Sequence, residues 1–146
     1  MKKEFSLEVN LKPTGTIAGW SNILLMASDT TKDCCNDGNR IPAIFFHGNS
    51  NKLHVCFAIS GSGNKCYNSD NLPSGKVTKI GIQQVHQYET TYRYSISLNG
   101  KEVYQTPNTK AKEYKNVKLY LGNEYHNPAK ASVLKVKFQN LSLIHI

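Results

Sequence analysis

Apolar and polar residues alternate with a period of two along most of the chain. Phe5, Leu7, Val9 and Leu11 alternate with polar residues, which is the pattern of a strand with one buried face. Further predicted strands are the alternating segments 53–59, 92–98, 117–121 and 134–138, and the more continuously apolar segments 20–27 and 41–47. No segment shows a convincing helical period of 3.6 residues. The pattern therefore predicts an all-β protein.

Turn signals separate these predicted strands. Asn99-Gly100 stands between two alternating runs, and this dipeptide favours a tight hairpin because both residues accept a positive φ. Residues 48–51 predict a looser hairpin, and the glycine-rich and proline-rich residues within 61–75 predict a longer connection. The alternation changes phase near Asn140, which predicts a bulge or the end of a strand there. About nine antiparallel strands imply a β-sandwich or a barrel.

The length of 146 residues suits one domain covering residues 1–146. A hydrophobic content of 39% with only 19% charged residues is too apolar for a disordered chain. The longest apolar run, Ile23 to Ala27, is too short to span a bilayer, so no membrane insertion is expected. Residues 1–3 lead into a strand pattern without the apolar segment of a signal peptide. If the protein is secreted, we expect the chain to be a domain cut from a longer precursor.

Positive charge is concentrated in the second half of the chain. Residues 1–70 hold seven basic and six acidic residues, whereas residues 71–146 hold eleven basic and four acidic ones, which together give +8. Such an excess favours polyanionic partners. The residues expected to bind ligand, on outward positions of the predicted strands, are Arg93, Lys118, Tyr120, Lys135 and Lys137. They form one patch only if their strands are neighbours in one sheet.

The chain has four cysteines, Cys34, Cys35, Cys56 and Cys66, without a zinc-binding spacing. The even count favours two disulfides in a secreted protein, and free buried thiols in a cytosolic protein are the alternative. A bond between the adjacent Cys34 and Cys35 would strain the peptide. We therefore favour one bond from each of them to Cys56 or Cys66, with the pairing left open.

Nothing in the sequence indicates catalysis. The five histidines are far apart, and no nucleophile, metalloprotease or phosphate-binding motif is present. We therefore predict that the protein is not an enzyme. Trp20 opens an apolar segment and is expected in the core, whereas Tyr120 and Tyr125 are the better candidates for exposure. Nucleic acid is an unlikely partner, because disulfides are expected and no binding motif is present.

An ordered set of segments carries a family resemblance over nearly the whole chain. The segments are 20–24 (WSNIL), 40–46 (RIPAIFF), 51–55 (NKLHV), 79–84 (KIGIQQ), 94–103 (YSISLNGKEV) and 119–123 (LYLGN). In order and spacing they resemble the laminin-G-like or concanavalin-A-like jelly roll. The resemblance implies an antiparallel two-sheet sandwich from secreted multidomain proteins.

Domains of this kind bind glycans, sulfated polysaccharides or matrix proteins, and some occur in mollusc shell-matrix (nacre) proteins. The resemblance therefore implies a non-catalytic, extracellular matrix-binding module for an acidic polysaccharide or an acidic matrix protein, and it extends to a role in biomineralisation. A structural spacer domain is the first alternative. A calcium-dependent, lectin-like carbohydrate-binding module is the second.

Many members of this family hold calcium at one rim of the sandwich. In the matching loop, Asp37 and Asn39 offer the hard oxygen ligands that calcium prefers. Arg40 stands about where the family has an acidic ligand, and its fixed positive charge would repel the ion. The alternative is that Asp37-Gly38 forms only a turn.

Overall fold

The computed structural model describes residues 1–28, 36–122 and 127–141. In these ranges the chain forms strands and no helix, so none of it could cross a membrane as a helix. The strands are β1 (Phe5–Pro13), β2 (Ser21–Ala27), β3 (Ala43–Phe46), β4 (Lys52–Ile59), β5 (Ser62–Asn71), β6 (Thr78–Tyr88), β7 (Thr91–Leu98), β8 (Lys101–Asn108), β9 (Lys118–Tyr120), β10 (Asn127–Pro128) and β11 (Ala131–Asn140). The prediction of an all-β fold is confirmed.

The strands form two sheets that pack face to face. One sheet has five strands in the order β11-β1-β6-β7-β8, and all its pairs are antiparallel. The other has six strands in the order β10-β2-β3-β4-β5, with β9 also paired to β2. Within the described ranges only the two-residue strand β10 pairs in parallel. The predicted antiparallel two-sheet sandwich is confirmed.

The main core lies between the two sheets. The apolar positions of β1, which alternate with polar ones, are all buried there. Phe57 of β4 stacks on Tyr94 of β7 with ring centroids 4.3 Å apart, which joins the two layers. Burial of each large apolar side chain contributes roughly 1.5–3 kcal/mol. The period-two pattern therefore drives the stacking of the sheets.

Two tight hairpins organise the sheets. Asn99 and Gly100 have φ values of 51° and 83° between β7 and β8, which confirms the predicted turn. Ser60 and Gly61, with φ values of 47° and 89°, make a second tight turn between β4 and β5. The longer connection predicted within residues 61–75 is therefore wrong for residues 62–71, which form β5. This strand is polar and lies at a sheet edge, so hydrophobic periodicity does not reveal it.

The predicted inward and outward positions are wrong at two places, Leu134 of β11 and the strand β9. Leu134 is 58% exposed because it is the extra residue of a β-bulge: Asn10 faces Lys135 and Leu11 faces Val133. In β9 the predicted phase is reversed. Leu119 is exposed, whereas Tyr120 packs on an apolar cluster of the six-stranded sheet.

That cluster makes the six-stranded sheet apolar on both faces. All seven residues of β2 are buried: Ile23, Leu24 and Met26 pack in the main core, whereas Leu25 and Ala27 belong to the other cluster. The second cluster comprises Leu25, Ala27, Ala43 and Phe45 on the outer face. The more continuously apolar segments of the sequence therefore mark the central strands of this sheet.

One disulfide joins β4 to β5. Cys56 and Cys66 lie directly opposite each other in the antiparallel register, with their Cα atoms 4.1 Å apart, and they are bonded. The expectation that each bonds to Cys34 or Cys35 is wrong, because the unrecognised hairpin brings Cys56 and Cys66 together. Cys34 and Cys35 lie outside the described residues. The disulfide indicates that the protein folds in an oxidising environment.

Tyr94 provides a test of the core. Its side chain is 2% exposed, and its hydroxyl has no hydrogen-bond partner among the described residues. We expect Tyr94→Phe to leave the free energy of unfolding unchanged or to raise it by up to about 1–2 kcal/mol, because a buried unpaired hydroxyl is costly. Urea denaturation measures this, with the partly exposed Tyr104→Phe as control. A loss of more than about 1 kcal/mol would mean that the hydroxyl is bonded.

The same burial raises the pKa of Tyr94 well above 10.0. Because the unfolded chain then loses the tyrosine proton first, the wild-type protein should lose stability as pH rises above about 10. Tyr94→Phe should show a smaller loss over that range.

Candidate functional site

A pocket of about 210 Å³ opens on the outer face of the six-stranded sheet, lined by Trp20, Arg40, Phe45 and His54. His47 and Asn68 adjoin it, and we call all six residues the Trp20 pocket. Trp20 was expected in the core, but it is 44% exposed and this expectation is wrong. Trp20 is the residue that precedes β2, so its side chain does not join the side chains of β2 that point into the core.

Strand register assembles the pocket. Phe45 of β3 faces His54 of β4, and His54 faces Asn68 of β5. Residues paired across neighbouring antiparallel strands project from the same face of a sheet. One row across three strands therefore carries an aromatic ring, an imidazole and an amide, and His47 follows directly after β3.

The two histidines pack against the indole. The Trp20 ring centroid lies 4.6 Å from that of His47 and 4.6 Å from that of His54, and the two imidazoles are 5.1 Å apart. Aromatic rings at these separations attract one another beyond the effect of buried area. These contacts hold the partly exposed indole in a defined position.

Asn68 links the two histidines. Its Oδ1 lies 2.7 Å from His47 Nε2 and 2.6 Å from His54 Nδ1. A carbonyl oxygen only accepts hydrogen bonds, so both ring nitrogens donate. In the neutral rings, His47 Nδ1 and His54 Nε2 are then left as acceptors. The pocket therefore combines an aromatic surface with polar groups of fixed orientation.

Arg40 brings positive charge to the pocket. Its guanidinium lies 5.0 Å from the centre of the Phe45 ring, and Nη1 donates to Asn64 Oδ1 at 3.2 Å. Burial lowers the pKa of His54, and the nearby charges of His47 and Arg40 lower it further, against the raising effect of the Asn68 bond. His54 is therefore biased towards its neutral form.

The disulfide supports the same face. A ring nitrogen of His54 and the sulfur atoms of Cys56 and Cys66 all lie within 4.8 Å of one another. Both sulfurs are in the disulfide, so they supply no thiolate to a metal ion. The bond instead fixes the hairpin that presents His54 and Asn68.

The residues predicted to bind ligand fall on two different sheets. Arg93, Lys135 and Lys137 lie on the outer face of the five-stranded sheet, whereas Lys118 and Tyr120 lie on β9 of the other sheet. The structure thus brings three of the five together. Their role in binding stays a prediction.

Ion pairs occupy much of the charge on the five-stranded sheet. Arg93 binds Glu102 through two contacts, of 2.6 and 2.7 Å. Glu8 pairs with both Lys79 and Lys135, at 3.0 and 3.2 Å, which lowers the pKa of Glu8. Among the described residues no carboxylate pairs with Lys137.

The predicted calcium ligands are engaged within the protein. One Asp37 oxygen accepts a hydrogen bond from the Tyr114 hydroxyl at 2.6 Å, and the other lies 2.5 Å from the Lys112 ammonium. Asn39 is buried, and its Oδ1 accepts from the Asn36 amide. This arrangement does not fit a cation, because Lys112 would repel it and the oxygens are already used. Calcium binding stays a prediction, and we assign calcium no role.

Comparison with known proteins shows the fold. Neither a protein family nor a curated sequence matches the chain. A mutant Trypanosoma rangeli sialidase displaying trans-sialidase activity matches with a TM-score of 0.61 and 11% identity, over 95% of this chain and 21% of the sialidase. A native heptameric SAP-like pentraxin from Limulus polyphemus matches with a TM-score of 0.53 and 9% identity, over 97% and 66% of the two chains. Sheep galectin-11 in complex with glycerol matches with a TM-score of 0.51 and 11% identity, over 95% and 92%.

These proteins share a lectin-like β-sandwich with the chain. The chain spans about a fifth of the sialidase and about two thirds of the pentraxin, but most of the galectin. The resemblance to a concanavalin-A-like fold is therefore confirmed at the level of the fold. At these identities the comparison shows the fold alone.

Sequence reasoning predicted none of the six residues of the Trp20 pocket as members of one site. A signal existed for the histidines. His47 ends one predicted strand and His54 follows shortly after the next one begins, so an antiparallel hairpin places them near each other. Asn68 could not be found this way, because β5 was not recognised.

The lowered pKa of His54 gives a pH test. We expect the His54 imidazole to titrate below the ordinary value of 6.5 in an NMR titration, with His54→Gln used to assign the signal. Because the unfolded chain takes up the proton first, stability should fall as pH decreases below about 6.5. His54→Gln should weaken this dependence. A His54 signal that titrates above 6.5 would contradict the packing described here.

Proposed function

We propose that the protein is a non-catalytic carbohydrate-binding module and that the Trp20 pocket is its binding site. The observation that carries the proposal is an exposed indole, held by His47 and His54, beside polar groups of fixed orientation. A sugar ring has an apolar C–H face and a rim of hydroxyls. The indole can stack on the C–H face, and the polar groups of the pocket can form hydrogen bonds with the hydroxyls.

The charge of the pocket favours an acidic sugar. Arg40 carries a permanent positive charge at the wall of the pocket, and this charge attracts a carboxylate or sulfate group. The net charge of +8 adds long-range attraction for anionic polymers. Carboxylated or sulfated glycans are therefore the proposed ligand class.

The fold supports carbohydrate binding, and the disulfide supports a setting outside the cytosol. The sandwich is shared with a galectin, and the Cys56–Cys66 disulfide suits an extracellular protein. We accordingly propose a secreted matrix protein that engages acidic polysaccharides. The shell-matrix role in biomineralisation and the absence of catalysis stay predictions from the sequence.

Trp20 makes the proposal directly testable, because it is the one tryptophan of the chain. Titration with a panel of neutral, carboxylated and sulfated oligosaccharides should change the fluorescence of Trp20 saturably for an acidic member. His54→Ala and Asn68→Ala should each weaken that binding about fivefold or more, since each removes hydrogen bonds worth about 1 kcal/mol.

The matched control is His86→Ala, which removes an exposed histidine from β6 of the other sheet. This variant should bind as the wild type does. Calorimetric binding that leaves Trp20 fluorescence unchanged, or equal losses in His54→Ala and His86→Ala, would count against the pocket. A panel without any binding would favour the spacer domain instead.

A further inference from the structure

The outer face of the five-stranded sheet holds a groove of about 480 Å³, separate from the Trp20 pocket and on the opposite sheet. Two rows of paired residues cross all five strands there. The first row is Lys137, Glu8, Gly81, Ser97 and Glu102, and the second is Gln139, Ser6, Gln83, Ser95 and Gln105. Five strands spaced by about 4.8 Å make each row about 19 Å long.

Small residues create the groove. Ser6, Gly81, Ser95 and Ser97 lie in the middle of the two rows, between longer side chains. A Cβ atom added to Gly81 would lie 2.5 Å from Ser97 Oγ, so this position has no room for a side chain. The floor of the groove is therefore low because it is formed by glycine and serine residues, whose side chains are small.

The chemistry of the groove suits a polyhydroxylated ligand. The outward groups are hydroxyls, side-chain amides and charged groups, with no aromatic side chain among the lining residues. The backbone edges of the middle strands are already paired within the sheet, so an extended peptide could not add there as a strand. An elongated polar ligand lying across the strands fits better.

Charge narrows the ligand class. Four cations line the groove or pair with its acids, namely Lys79, Arg93, Lys135 and Lys137, against the two lining acids Glu8 and Glu102. The surplus of two positive charges includes Lys137, which has no carboxylate partner among the described residues. Anionic groups spaced along a polymer would complement this face.

The geometry points to a second binding site, in which a linear anionic polysaccharide lies across the five strands on the floor formed by Gly81 and the serines. An anionic group of the polymer contacts Lys137, and its hydroxyls contact the serine and glutamine side chains. This site does not depend on the Trp20 pocket. With both sites, one chain would bind polysaccharide on opposite faces.

The test uses three polymers of equal length, namely dextran, carboxymethyl dextran and dextran sulfate. The wild type should bind the two anionic polymers in calorimetry, with an affinity that falls as salt is raised, and should not bind dextran. In NMR spectra the amides of Gly81, Ser95 and Ser97 should shift on binding. Binding of dextran with equal affinity, or shifts elsewhere only, would overturn the site.

Matched charge variants separate the groove from bulk charge. Lys137→Glu should weaken binding of dextran sulfate about fivefold, whereas Lys115→Glu, in the exposed loop before β9, should change it less than twofold. Equal losses in the two variants would mean that only the net charge matters and would overturn the proposal.

A steric variant tests the floor. Ser97→Ala removes the clashing hydroxyl, and Gly81→Leu then fills the groove without a change in charge. The double variant should keep the wild-type unfolding midpoint within a few degrees and weaken dextran sulfate binding in the groove, followed by the shift of the Ser95 amide, at least tenfold. Ser97→Ala alone should weaken this binding no more than about fivefold, because it removes one hydroxyl worth about 1 kcal/mol. Unchanged binding by the double variant would overturn the site.

Trp20→Ala distinguishes this proposal from the first. It should leave dextran sulfate binding in the groove unchanged, and Lys137→Glu should leave the fluorescence response of Trp20 to oligosaccharides unchanged. If Trp20→Ala abolishes binding of the polymers and the groove variants do not, the groove is excluded and the pocket alone is supported.

Discussion

The register of the two hairpins that join β3, β4 and β5 determines the chemistry on the outer face of the six-stranded sheet. It aligns Phe45, His54 and Asn68 in one row and places Cys56 opposite Cys66. A slip of one residue would turn every side chain of a strand to the other face. The disulfide and the bonds to Asn68 depend on this one alignment, and both reinforce it.

The two outer faces of the sandwich differ in chemistry. The six-stranded sheet continues its apolar character outwards through the cluster around Phe45, and Trp20 and the histidines lie at the margin of that cluster. The five-stranded sheet buries apolar residues on one side only and presents serines, glutamines and paired charges on the other. One fold thus offers an aromatic pocket and a polar groove.

Charge acts on these faces at two ranges. Close ion pairs, such as Arg93 with Glu102, are exposed and contribute little to stability. The excess of basic residues in the second half of the chain acts over longer distances and attracts anions to the surface. Local pairing therefore shapes the groove, and the unbalanced charge favours an anionic partner over a cationic one.

The sequence alone predicted the layered all-β fold, the Asn99-Gly100 hairpin and most strands, because the alternation along a strand is a local property of the chain. It also placed Arg93 and Lys137 on outward positions. It missed β5, whose polar residues carry no hydrophobic period, and with it the pairing of Cys56 with Cys66 and the position of Asn68. It also misplaced two residues as buried. Trp20 is exposed because it precedes β2, and Leu134 is exposed because a bulge interrupts the alternation of β11.

Only the tertiary structure decided which residues meet. Lys118 and Lys137 share the same sequence signal, yet one belongs to each sheet, because strand order is set by long-range pairing that periodicity does not encode. Trp20, His54 and Asn68 come from three separate segments and adjoin one pocket only through the packing of β2 to β5. The alternation along each strand determined which side chains point outwards, and the order of the strands decided which of those side chains lie next to one another.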